Sequence, residues 1–111
     1  RAMLAAPRRA YVMLHAEAEL DCASPLAARA ALERAELVVV MSPFRHGMAY
    51  ADVLLPIAPF TETSGTFVNC EGRAQSFRGV VKPRGQARPA ARRFYLAGRL
   101  TGSRLLWGSW E

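Results

Sequence analysis

Leu37-Val38-Val39-Val40-Met41 is an unbroken apolar run with three β-branched residues and no polar alternation. A strand with one wet face alternates apolar and polar residues. A run without alternation belongs to a strand covered on both faces, as in a parallel sheet between helices. Upstream, Leu26 to Ala35 is made almost wholly of Ala, Leu, Arg and Glu, all strong helix formers. Ser24-Pro25 supplies the start of that helix: a Ser hydroxyl at the N-cap accepts from an early amide, and Pro at the next position lacks an N–H that would go unpaired. Beyond a polar break at Glu17 to Asp21 lies a second short strand, Tyr11-Val12-Met13-Leu14. Strand, helix and strand over roughly 30 residues make one βαβ unit with a right-handed crossover. Downstream, Ser42-Pro43 ends the central run, and His46 to Ala51 has the length of one or two helical turns. Asp52-Val53-Leu54-Leu55 then forms a third short strand, stopped by Pro56. The expected class is α/β: a partial doubly wound parallel sheet over residues 1–56, one βαβ unit plus a short third strand. In such sheets ligands gather beyond the carboxyl ends of strands, which directs attention to the loops after Leu14, Met41 and Leu55.

After Pro56 the patterning weakens. Residues 57–89 read as an irregular, loop-rich segment of the same domain: a polar stretch followed by a Gly/Pro/basic connector from Gly79 to Pro89. Residues 90–111 read as a basic tail in which 90–100 can form a helix presenting Phe94 and Leu100, weakened by Gly98. Leu105 to Trp110 places two tryptophans in a segment with little structural signal.

Composition narrows the function classes. A hydrophobic content of 51% with 22% charged residues belongs to a globular chain of about one domain. No apolar run approaches the ~18–20 residues that cross a bilayer, so direct membrane insertion is not expected. Arg1, Arg8 and Arg9 are not followed by the apolar segment of a signal peptide. A start at Arg1 instead of Met is the expected mark of a piece of a longer protein. Cys22 and Cys70 stand far apart and form no C-x-x-C pair, which argues against a metal or iron–sulfur site within the chain. Two buried free thiols are the expectation, with a disulfide left open by sequence. His15 and His46 are isolated and read as structural or surface residues. The net charge of +6 is uneven: residues 72–111 carry nine Arg/Lys against Glu111 alone. Such asymmetry points to an anionic partner for that part.

The stretch richest in chemistry is Glu62-x-x-Gly65-Thr66-Phe67-Val68-Asn69-x-Glu71-Gly72-Arg73-x-Gln75. It offers acceptors, neutral donors and a guanidinium, with glycines placed for tight turns. Asn and Gln pair with heterocycle edges and Arg grips anions bidentately, so the stretch suits a flat polar ligand or a phosphate. The alternative is that these groups satisfy one another and the local backbone. No nucleophile–base pair, metal-ligand cluster or Walker-type loop is present, so no catalytic residues are assigned.

Taken together, Ala51-Asp-Val-Leu-Leu-Pro56, Phe60-x-Glu62, Gly65-Thr-Phe-x-Asn69, Gly72-Arg-x-Gln75 and Gly85-Gln-Ala-Arg-Pro89 resemble the closing signature of the central domain of molybdopterin oxidoreductases. The wording from Glu62 to Arg73 is most similar to one branch of that family, the G-type subunits of the NADH-quinone oxidoreductases (respiratory complex I). Catalytic formate dehydrogenases tend to read Glu-Arg-Arg where this chain has Glu71-Gly72-Arg73. The resemblance implies that Thr66, Asn69, Arg73 and Gln75 match positions near the pterin cofactor. In the complex I branch, generally without molybdenum, these become vestigial site residues with structural roles. It also implies no cofactor within this chain, and iron–sulfur clusters held by cysteines in an N-terminal part of the parent that is absent here. The implied partners are other hydrophilic-arm subunits of complex I, and the implied place is peripheral, on the cytoplasmic side of the bacterial inner membrane. The family usually continues from Ala90 with a tryptophan and a leucine-rich helix, whereas this chain reads Ala91-Arg-Arg-Phe-Tyr95.

Two other assignments compete. One is a piece of a catalytic molybdopterin enzyme related to formate dehydrogenase. The other is a basic nucleic-acid module built on Arg73 to Arg104, which has few interleaved aromatics before Phe94 and no known module pattern, so nucleic acid is not expected as a partner. The isolated chain is expected to be inactive with NADH, quinone or formate, and poorly soluble, because one βαβ unit clearly covers only one sheet face.

Overall fold

The computed structural model describes residues 2–98 fully and the backbone of residues 99 and 100. It divides into two compact units, Arg1–Pro56 and Ile57–Glu111. The first holds α1 (Ala2–Ala5), β1 (Ala10–Leu14), α2 (Ala18–Asp21), α3 (Pro25–Glu33), β2 (Leu37–Ser42) and β3 (Val53–Pro56). Its sheet has the order β1-β2-β3, and both neighbouring pairs are parallel. The chain is therefore α/β, as its sequence indicates.

The alternation of side chains along a strand sorts this sheet into two faces. Tyr11 pairs with Val38, and Val40 lies between Met13 and Leu54. On that face Tyr11, Val38 and Val40 are buried and share one core with Ala28, Ala31 and Leu32 of α3. Ala28 and Ala31 are one helical turn apart, and their small side chains let the helix lie close to the sheet. The other face is largely open: Val12, Leu14 and Val53 are 55%, 41% and 41% exposed. Two-sided burial of β2 is thus only partly met. Val38, Val40 and Met41 are buried, Val39 is half-buried and Leu37 is exposed. The reason is one of supply, since α3 packs on a single face.

Two local expectations need revision: the Ser24 cap, and the third strand, which runs Val53–Pro56 with Pro56 inside it instead of Asp52–Leu55. Pro25 is the first residue of α3, but Ser24 makes no side-chain cap bond. Its backbone carbonyl instead accepts from the Ala28 amide at 3.0 Å. Just before β3, Asp52 serves as a clamp: its carboxylate accepts from the Val38 amide at 2.7 Å, and its own amide donates to the Val38 carbonyl at 3.0 Å.

The second unit contains β4 (Gly65–Val68), β5 (Ala74–Phe77) and α4 (Ala90–Leu100). β4 and β5 form an antiparallel hairpin inside the stretch whose sequence reads as irregular. Each strand is four residues long and almost wholly exposed, so no buried face stamps a hydrophobic alternation on the sequence. The buried part of this unit lies at Ile57 and Ala58, each 1% exposed. Ile57 bridges to Arg88, and the Ala58 amide donates to the Arg88 carbonyl at 2.9 Å. The helix expected at residues 90–100 is present as α4 and tolerates Gly98. The side chain of Leu100 and the tryptophan-bearing stretch from Leu105 to Trp110 lie outside the described residues.

Candidate functional site

The hairpin turn is built around Asn69. Its carbonyl accepts from the Gly72 amide at 3.0 Å, and Gly72 takes φ +78. This turn is closed by a residue in the left-handed region, and glycine fills that position without a Cβ penalty. The Asn69 side chain reinforces it: Oδ1 accepts from the amides of Glu71 at 3.0 Å and Arg73 at 2.9 Å. An asparagine with ligand-binding chemistry is here engaged by its own turn.

Register decides where the other candidates lie. Thr66 is opposite Ser76 and Phe67 is opposite Gln75, so Thr66 and Gln75 occupy opposite faces of the two-stranded ribbon. Thr66 Oγ1 and Ser76 Oγ are 3.0 Å apart and share a hydrogen bond. Gln75 stands on the face of Phe67 and Phe77, whose rings stack with centroids 4.7 Å apart. Gly65 is required on that face, because a Cβ there would come within 2.9 Å of the Phe77 ring. Arg73 continues from the turn into β5 and is exposed. The fold therefore gathers Asn69 and Arg73 at one turn, and separates Thr66 from Gln75.

Sequence reasoning passed over the aromatic side of this hairpin. Phe60 stands edge-on to both Phe67 and Phe77, each at 6.4 Å. The three rings, with Thr61, Gln75, Ser76, Arg78 and Val80, line an open groove of about 390 Å³. The signal was available as Phe60, Phe67 and Phe77, but only the pairing of β4 with β5 brings them together.

In the first unit the strand ends that should gather ligands bring Glu17 to His46, with Nδ1 3.4 Å from Oε1 and outside hydrogen-bond geometry. Tyr50 is buried in the same unit, its phenol oxygen without a hydrogen-bond partner. Burial raises the Tyr50 pKa above its ordinary 10.0, and the carboxylates of Glu19 and Glu17 push the same way. The Ala18 backbone offsets this in part without reaching hydrogen-bond geometry. A separate shallow groove of about 520 Å³ is lined by Leu4, Ala5, Asp21, Cys22 and Ala27 among others. Both cysteines are free, and Cys70 is exposed at the hairpin turn, not buried as expected. Among the described residues no three His, Cys, Asp or Glu side chains group to hold a metal ion. No described helix is long and apolar enough to cross a membrane.

Residues 4–91 match the family model for molybdopterin oxidoreductase. The chain belongs to the molybdopterin oxidoreductase family. Among relatives of this molybdopterin oxidoreductase segment, the mitochondrial NADH-ubiquinone oxidoreductase 78 kDa subunit of Candida albicans is 52% identical over 42 residues, covering 38% of this chain and 6% of that protein. The G subunit of NADH-quinone oxidoreductase from Streptomyces coelicolor is 42% identical over 64 residues, 57% of this chain and 8% of that protein. A putative formate dehydrogenase of Staphylococcus haemolyticus is 37% identical over 76 residues, 68% of this chain and 8% of that protein. The chain thus spans less than a tenth of the length of these curated relatives. The family name implies a molybdopterin, and the hairpin geometry can be held against that group. With Thr66 bonded to Ser76 on one face, Gln75 on the other and Asn69 Oδ1 occupied by two amides, Thr66 and Gln75 do not converge on one flat ligand and Asn69 is engaged by its own turn.

Proposed function

We propose that this chain is a scaffold portion of a protein similar to the G subunit of NADH-quinone oxidoreductase, contributing shape and contacts to a complex that passes electrons from NADH to quinone. The observation that carries this reading is the use of the signature hairpin's polar side chains on the hairpin itself. Asn69 holds the turn and Thr66 bonds Ser76. Thr66, Asn69, Arg73 and Gln75 are on this view vestigial pterin-site residues that now maintain the local fold. The similarity to the 78 kDa and G subunits supports the same branch. The iron–sulfur clusters would belong to the N-terminal part of the parent, the partners would be other hydrophilic-arm subunits, and the location would be peripheral on the cytoplasmic face of the bacterial inner membrane. Nucleic acid has no place in this assignment.

A second reading, a segment of a catalytic molybdopterin enzyme related to formate dehydrogenase, draws on the putative formate dehydrogenase match, which extends over 68% of this chain. Purification of the parent complex through an affinity tag on this polypeptide separates the two. The scaffold reading expects NADH:quinone reductase activity and no molybdenum by elemental analysis. Stoichiometric molybdenum with formate oxidation would overturn it. The 111-residue chain alone is expected to turn over neither NADH, quinone nor formate.

A further inference from the structure

The aromatic side of the β4–β5 hairpin and the charge around it have no assigned use. Phe60 and Phe67 are 60% and 59% exposed, and Val80 and Val81 are 84% and 58% exposed. Phe60, Phe67 and Val80 line one groove, and large apolar side chains this open and gathered together are the usual mark of an interaction surface. Arg78 lines the same groove as the rings, and Lys82 follows shortly after Val81 in the chain. The ion pairs found among the described residues, Arg9–Glu36 and Arg29–Glu33, and the His46–Glu17 contact all belong to the first unit. Arg73, Arg78 and Lys82 make no ion pair among the described residues. Residues 57–111 hold nine Arg/Lys against three Asp/Glu, so the entire net charge of +6 resides with this groove's unit.

We propose that the Phe60–Phe67–Phe77 groove, with Val80 and Arg78, docks an acidic protein segment that inserts apolar side chains. Charge complementarity selects the partner: an aromatic floor beside unpaired cations favours a segment alternating aliphatic or aromatic residues with Asp or Glu. The ring geometry favours protein over nucleic acid. Phe67 and Phe77 stack on each other with an interplanar angle of 15°, leaving no slot between them for a base. Val80 and Val81 add aliphatic surface that stacking bases use poorly. A groove of about 390 Å³ lies within the range of small ligand pockets and suits one or two inserted side chains. The inference is independent of which oxidoreductase the parent is, because it uses the hairpin's aromatic face and not its turn.

The test titrates the full chain against a fluorescein-labelled peptide repeating Asp-Leu-Glu-Phe, followed by anisotropy. A peptide with Lys in place of each acid, an oligo-dT strand and phosphatidylserine vesicles are run alongside. Saturable binding of the acidic peptide is expected, weakened about tenfold by Phe67→Ala and a few-fold by Arg78→Glu, and falling as salt rises. Phe67 also packs within the hairpin, so Val80→Ser serves as a second variant that leaves the strand pairing intact. It should weaken binding a few-fold with an unchanged circular dichroism spectrum. Absent binding, equal binding of the Lys peptide, or binding insensitive to both Phe67→Ala and Val80→Ser overturns the proposal. Capture of oligo-dT or vesicles that is lost in Phe67→Ala, or a dimer in sedimentation that is lost in the same variant, likewise overturns it by naming another occupant.

Discussion

Residues 1–56 balance six Arg/Lys against six Asp/Glu and bury Tyr11, Val38, Val40 and Leu32 in one core beneath α3. Residues 57–111 carry the whole net charge and leave Phe60, Phe67 and Val80 in solvent. The first unit is held by burial across sequence-distant strands. The hairpin is held by a turn, a hydroxyl pair and a ring stack, each made between residues close in the chain. The difference teaches that the most recognisable stretch of the sequence need not be the best buried. The signature from Gly65 to Gln75 is almost entirely exposed, while the core rests on common Ala, Val and Leu residues whose identity carries little family information.

The contrast can be broken most severely at Val40, which is fully buried at the centre of the sheet. Val40→Asp places an unpaired charge in that core and should cost about 3–5 kcal/mol. In hydrogen exchange, amides of β1, β2 and β3 should lose protection while those of β4 and β5 keep theirs. Equal loss in both regions would show that the two units are not independent in stability. Next in size is Gly65→Val, which drives a side chain into the Phe77 ring. A cost of about 1–3 kcal/mol is expected, confined to the hairpin amides. Loss of protection in the parallel sheet instead would count against a local hairpin.

A smaller effect tests the first unit's electrostatics. Tyr50 keeps its proton in the folded state to a higher pH than the unfolded chain does, because burial opposes the phenolate. Between its ordinary pKa of 10.0 and the raised folded value the unfolded state binds fewer protons, so stability falls as pH rises through that window. Tyr50→Phe should leave stability near neutrality almost unchanged, since the lost hydroxyl has no hydrogen-bond partner, and should reduce the alkaline decline. An alkaline melting profile identical to the parent's would refute this role. The smallest expected effect is at Arg9. Its guanidinium meets Glu36 through two contacts of 2.8 Å, yet the two side chains are 85% and 62% exposed. Arg9→Ala should leave the melting temperature within error, because water and salt screen such a pair. A clear drop would mean that this pair fixes the start of β1 against β2.

Much of the first unit was legible because its signals are local. Ser24-Pro25 marks a helix start, and an apolar run between breakers marks a strand. That Ser24 makes no side-chain cap bond was not legible, since an available hydroxyl does not fix the backbone angles that aim it. The hairpin was hidden for a different reason. Two exposed four-residue strands leave no periodic apolar trace, and Gly65, Gly72 and the hydroxyl residues read as loop. Within the candidate site, the residue types and the family were plain in the wording from Glu62 to Arg73, but their mutual orientation was not.

By itself the sequence determined the α/β class, the parallel pairing implied by a βαβ unit, the family, and the concentration of positive charge beyond residue 71. The family rests on a resemblance of motifs, and the others follow from composition and short-range pattern, which survive without knowing what lies next to what. The sequence offered one helix for one sheet face, and only the tertiary structure decided which face α3 covers, leaving Val12, Leu14 and Val53 exposed. Only it placed Thr66 and Gln75 on opposite sides of a ribbon and joined three separated phenylalanines in one groove. The physical reason is register. A shift of one residue in the pairing of β4 with β5 would carry one strand's side chains to the other face relative to its partner, and the turn from Asn69 to Gly72 that sets the register is defined by the folded backbone.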